Sequence, residues 1–72
     1  MTYELTNQEK ADIVNQHIKG VEYSLFNLGL SLIEEQAVAT PNAENIASLN
    51  SQITELNAKK TALLAELADL AE

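Results

Sequence analysis

His17 is the only histidine in this chain, and the one side chain whose ordinary pKa would let it exchange a proton near neutrality. To work as a base or a metal ligand it needs partners that converge on it. Its polar neighbours Asp12, Gln16 and Glu22 form no Glu-x-x-His pair of the kind that builds di-iron sites in helical bundles. With no cysteine in the sequence, a zinc site of the ordinary kind has too few nitrogen and sulfur ligands. His17 therefore reads as a residue flanking a helix stripe. Glu34 and Glu35 are adjacent, so in a helix they point about 100° apart and cannot act as a carboxylate pair. No Gly-x-Ser-x-Gly elbow accompanies the serines, and Gly20 and Gly29 form no phosphate-cradling loop. The expectation is a protein that is not an enzyme, with no catalytic, metal or cofactor-binding residues and no cofactor.

Composition narrows the partners. Eleven acidic side chains against four basic ones give a net charge of −7. Phosphate recognition needs clustered Lys and Arg, so neither nucleic acid nor an anionic membrane is expected as a partner. A basic protein partner remains open, but the charge is spread, −4 over residues 1–40 and −3 over 41–72, which suits a solubilising role. The N-terminal residues lack the basic and apolar regions of a signal peptide. The apolar-rich run from Leu25 to Ile33 is broken by Asn27, Gly29 and Ser31 and falls short of a membrane span. A soluble, cytoplasmic protein is the expectation.

Helical spacing organises nearly the whole chain. Thr6-Asn7-Gln8-Glu9 fits a capping box, in which the Thr6 hydroxyl accepts from the Glu9 amide and the Glu9 side chain reaches back to the Thr6 amide. Ala11, Val14, Ile18, Val21, Leu25, Leu28 and Leu32 then follow at alternating steps of three and four, one stripe of a helix. Thr40-Pro41 marks a second start, with Thr40 as cap and Pro41 in the first turn. Ile46, Leu49, Ile53, Leu56, Lys60, Leu63, Leu67 and Leu70 continue as a heptad stripe with Lys60 its one polar member. Near the end, Glu66, Asp69 and Glu72 oppose the helix dipole, which favours fraying there.

These stripes predict an all-α fold: an antiparallel two-helix hairpin, helix about 7–38, turn at 39–41 and helix about 41–70. The whole of 1–72 makes one helical-hairpin domain. Residues facing across the seam have numbers that add to 81, placing Leu32 by Leu49, Leu25 by Leu56 and Ala11 by Leu70. One long helix bent at Pro41 is the competing arrangement. Residues 26–32 alternate apolar with small or polar residues in the manner of a strand. The uninterrupted heptad and the lack of a β-branched run favour helix there. Gly29 costs a helix interior about 1 kcal/mol relative to alanine, which points to close packing against it.

A second apolar face is the feature the hairpin does not use. Tyr23, Phe26, Leu30, Ile33 and Ala37 recur at helical steps away from the seam, and apolar surface of that extent marks an interaction site. A chain of this length usually needs a staple, and without cysteine or metal oligomerisation is the one left. A homodimer or higher homo-oligomer, two hairpins joined as a four-helix bundle, is therefore expected. An unidentified protein partner, or the N-terminal Tyr3/Leu5 segment, could cover the face instead. Lys60, opposite Val21 and close to Glu22 on the seam, is expected to specify register, its stem packed and its ammonium in water.

The run Asn45-Ile46-Ala47-Ser48-Leu49-Asn50-Ser51-Gln52-Ile53-Thr54-Glu55-Leu56-Asn57-Ala58-Lys59-Lys60 resembles the coiled-coil segments of small uncharacterised helical proteins of marine tailed phages. That resemblance implies an accessory or host-interaction protein and carries over no site residues. Two classes of function stand: a self-associating structural or assembly module, and a small acidic regulatory protein that occupies a basic or apolar groove on another protein.

Overall fold

A computed structural model describes residues 4–71. Tyr3 and Glu72, which the sequence reading placed in an apolar N-terminal segment and at the C-terminal dipole, lie outside the described residues. The chain forms two helices, α1 (Asn7–Ala37) and α2 (Ala43–Leu70), folded back on one another as an antiparallel pair. Residues 26–32 are helical throughout. The strand-like alternation there yields to a heptad that continues on both sides.

Each helix starts where side chains can satisfy the free amides of its first turn. At α1 the capping box is complete: the Glu9 N–H donates to Thr6 Oγ1 at 3.1 Å and the Thr6 N–H donates to Glu9 Oε1 at 2.9 Å. At α2 the cap is Asn42, not Thr40. Its side-chain oxygen accepts from the amides of Glu44 (2.9 Å) and Asn45 (3.1 Å). Asparagine ranks at least as high as threonine as a cap, and here one carbonyl satisfies two amides. Pro41 consequently stands one residue before the cap rather than in the first turn. The second helix begins at Ala43, two residues later than the sequence implies, and the first ends at Ala37, with Val38 extended at φ −74° and ψ 157°.

The seam follows the two stripes. On α1 the half-buried residues are Ala11, Val14, Ile18, Val21, Leu25, Leu28 and Leu32, joined by Gly29 and Glu35; on α2 they run from Ile46 through Lys60 to Leu70 as expected. Among the described residues none is fully buried, because a single helix can cover only one stripe of its neighbour. The result is a rod of 62 × 18 × 15 Å with a radius of gyration of 17.0 Å, against about 11 Å for a compact domain of this length. Its accessible surface is 5537 Å², where a compact monomer of the same mass exposes about 4,400 Å².

Candidate functional site: the outer face of α1

The most distinctive surface lies on α1, on the side away from α2. Tyr23 is 65% exposed, Phe26 70%, Ile33 63% and Leu30 41%, and Ala37 at the end of the helix is exposed as well. Large apolar side chains gathered in this way differ from singly scattered ones, which need no explanation. Lys19, Glu22, Tyr23 and Phe26 line a shallow, almost wholly apolar groove at the N-terminal end of this face. The seam and the outer face lie roughly 140° apart around α1 at 3.6 residues per turn. Whatever covers the outer face must therefore approach from the side nearly opposite α2.

Lys60 is held at the seam, half-buried, with its ammonium 2.5 Å from Glu22 Oε1. The pairing lies one residue from the register in which facing numbers add to 81. At the open end of the rod, Ala11 and Leu70 line the same hollow, again in that register. Both ionic groups retain contact with water, Glu22 being half exposed, so the pair is screened and adds little to stability.

Gly29 departs from expectation. A methyl group placed on Gly29 would meet nothing within 4 Å, and the same holds at Gly20. The hairpin leaves open space beside Gly29 rather than packing closely against it, since the residue sits at the margin of the seam, on the side toward the outer face.

Sequence reasoning missed the part played by Glu35. Read from the sequence only as unable to pair with Glu34, it is half-buried at the turn end of the seam, where its Oε1 accepts the Asn42 N–H at 3.0 Å. The available signal was joint: Glu35 lies on the seam stripe, and Asn42 precedes Glu44 and Asn45 at cap spacing.

The chemistry-bearing residues are not brought together. His17 is exposed, and among the described residues no group of three or more His, Cys, Asp or Glu is placed to hold a metal ion. A polar hollow near the turn is lined by Ser31, Glu35, Ser48 and Gln52 among others. There Ser48 Oγ accepts from Gln52 Nε2 at 3.3 Å and Glu35 is engaged by Asn42, so neither is arranged as nucleophile and base. Among the described residues no helix is long and apolar enough to cross a membrane. No family model, curated protein or solved structure matches the chain.

Proposed function

We propose that this chain is a non-enzymatic assembly module that associates with itself through the outer face of α1. The observation that carries the reading is the exposure of Tyr23, Phe26 and Ile33, 65%, 70% and 63%, on a rod in which none of the described residues is fully buried. A two-helix hairpin cannot close a core alone, and a second copy supplies the missing layer. An aromatic side chain offers about 150–250 Å². With the exposures above, the face contributes on the order of 500 Å² per copy, or about 1,000 Å² across a pair, the size at which specific interfaces begin. The accessory role implied by the phage resemblance belongs to the same class of function.

Charge supports a second reading. Between Lys19 and Lys59 the sequence holds no Lys or Arg but carries Glu22, Glu34, Glu35, Glu44 and Glu55. Of these, Glu22 and Glu34 flank the apolar face on α1 itself, and an apolar face with acidic flanks suits a basic, amphipathic segment of another protein.

Light scattering after size exclusion at micromolar concentration separates the two. Self-association gives a dimer or larger species that Phe26→Asp or Leu30→Asp dissociates while helix content is retained. A monomer of unchanged helicity overturns it and leaves the acidic regulatory binder.

A further inference from the structure

The outer face has its own heptad. From Tyr23 the steps to Phe26, Leu30, Ile33 and Ala37 alternate three and four, and the same series extends back to Lys19. Two helices that meet along such a series pack in layers. In an antiparallel pair, one layer type of the first helix meets the other type of the second. A single register then pairs every member: residue numbers across the interface add to 56, with Phe26 against Leu30, Tyr23 against Ile33 and Lys19 against Ala37 of the second copy. The symmetry axis falls at the level of Leu28.

Resting on self-association through this face, we infer that two copies pair α1 against α1 antiparallel in that register. The four helices then form a flat row with the two α1 helices at its centre and an α2 on each outer side. The seam and outer face, roughly 140° apart on α1, open the arrangement beyond the 90° corner of a square bundle toward such a row.

Charge selects the direction. A parallel pair in register sets Lys19 against Lys19 of the second copy, a like-charge contact within the interface. The antiparallel register instead brings Lys19 to Ala37 of the other copy, the last residue of a helix whose final turn holds no cation. A cation at that end is favourable because the helix carries partial negative charge there. The flanking positions agree. Glu34 falls across from Gly20, Glu22 from Gln36, and Asn27 and Gly29 each from their own symmetry mates. No two like charges face each other.

The chain has no native cysteine, so single cysteines report the geometry directly. Asn27→Cys, near the axis, links to itself through a short bis-maleimide in either direction and reports the interface. Lys19→Cys and Ala37→Cys, mixed in denaturant and refolded together, should link to each other in several-fold excess over either with itself. Self-linking of each alone means a parallel pair and overturns this arrangement while leaving self-association intact. Linking at Asn27→Cys without the Lys19–Ala37 product overturns the register. An oligomer by light scattering that never links at Asn27→Cys places the interface elsewhere and overturns the arrangement. A monomer without cross-links overturns both readings.

Discussion

The carboxylate of Glu35, in the last turn of α1, accepts the amide of Asn42 at 3.0 Å, and Asn42 is itself the cap of α2. One side chain thus ties the end of the first helix to the start of the second. At the C-terminus of its own helix a carboxylate is unfavourably placed, but at the N-terminus of α2 the helix dipole favours it. Turning the chain back between Ala37 and Ala43 brings Glu35 from the wrong pole to the right one.

Glu35→Ala should therefore lower stability by about 1 kcal/mol, the usual net worth of such a bond, or about 4–8 °C in melting temperature for a domain of this size. Glu35→Gln keeps an acceptor and should lose less. Asn42→Ala removes the acceptor for two amides and should cost about 0.5–2 kcal/mol, whereas Thr40→Ala, with no capping bond to break, should change little. Thermal unfolding followed by circular dichroism ranks the four variants. A Thr40→Ala loss that exceeded the Asn42→Ala loss would return the cap to Thr40.

Lys60 interrupts an otherwise apolar stripe, and its ion pair with Glu22 is partly exposed. Such a pair is worth about 0–1 kcal/mol, while a leucine at a half-buried seam position recovers on the order of 1 kcal/mol by burial. Lys60→Leu should raise the melting temperature by a few degrees and broaden the range of assembly sizes, because the polar residue that penalises other registers is gone. A clear fall in melting temperature would show that the Glu22 contact outweighs the burial.

The periodicity made most of the hairpin legible. Apart from Gly29, every seam residue from Ala11 to Leu32 and from Ile46 to Leu70 follows from steps of three and four, since burial is what such spacing encodes. The Thr6–Glu9 capping box was equally visible, being local in sequence. The second cap was not, because Thr40, Pro41 and Asn42 offer competing starts and the choice depends on what the turn brings near them. Glu35 contributes to that choice from seven residues upstream, as a contact made by folding. The outer face was legible both as a series of residues and as a surface the hairpin leaves uncovered. Exposure at Phe26 depends on α2 covering only the opposite side. Gly29 misled for a related reason: a glycine invites close approach, and within one hairpin nothing approaches.

Acid should loosen the start of α1. The Glu9 carboxyl is held below its ordinary value first by the backbone N–H of Thr6 and then by the Thr6 hydroxyl, which together outweigh desolvation. A group whose pKa is lowered on folding stabilises the fold above its unfolded pKa, and that contribution fades as pH falls through the folded one. Below the carboxylate range the capping box should therefore weaken. A carbon-detected titration should place Glu9 below the ordinary glutamate value, and amide exchange in the first turn should quicken over the same interval. Thr6→Ala removes the hydroxyl but keeps the backbone N–H, so Glu9 should titrate higher than in the parent chain yet still below its ordinary value; an unchanged titration would mean that the hydroxyl contributes nothing.

The two glycines of α1 separate the stability of the hairpin from that of its assembly. At both Gly20 and Gly29 an added methyl meets open space, and alanine is favoured over glycine in a helix by about 1 kcal/mol. Each glycine-to-alanine change should therefore stabilise the isolated hairpin by about that amount. Their effects on pairing should differ. In the antiparallel arrangement Gly29 flanks the contact beside Gly29 of the second copy, and a methyl on each helix there limits how closely the two α1 axes approach. Gly20 lies across from Glu34, a long side chain that can turn aside. Gly29→Ala should accordingly raise the melting temperature of dilute protein while increasing the dissociation constant of the pair several-fold. Gly20→Ala should raise the melting temperature and leave dissociation nearly unchanged. Sedimentation equilibrium on both variants measures the contrast, and equal dissociation constants for the two would remove Gly29 from the contact between copies.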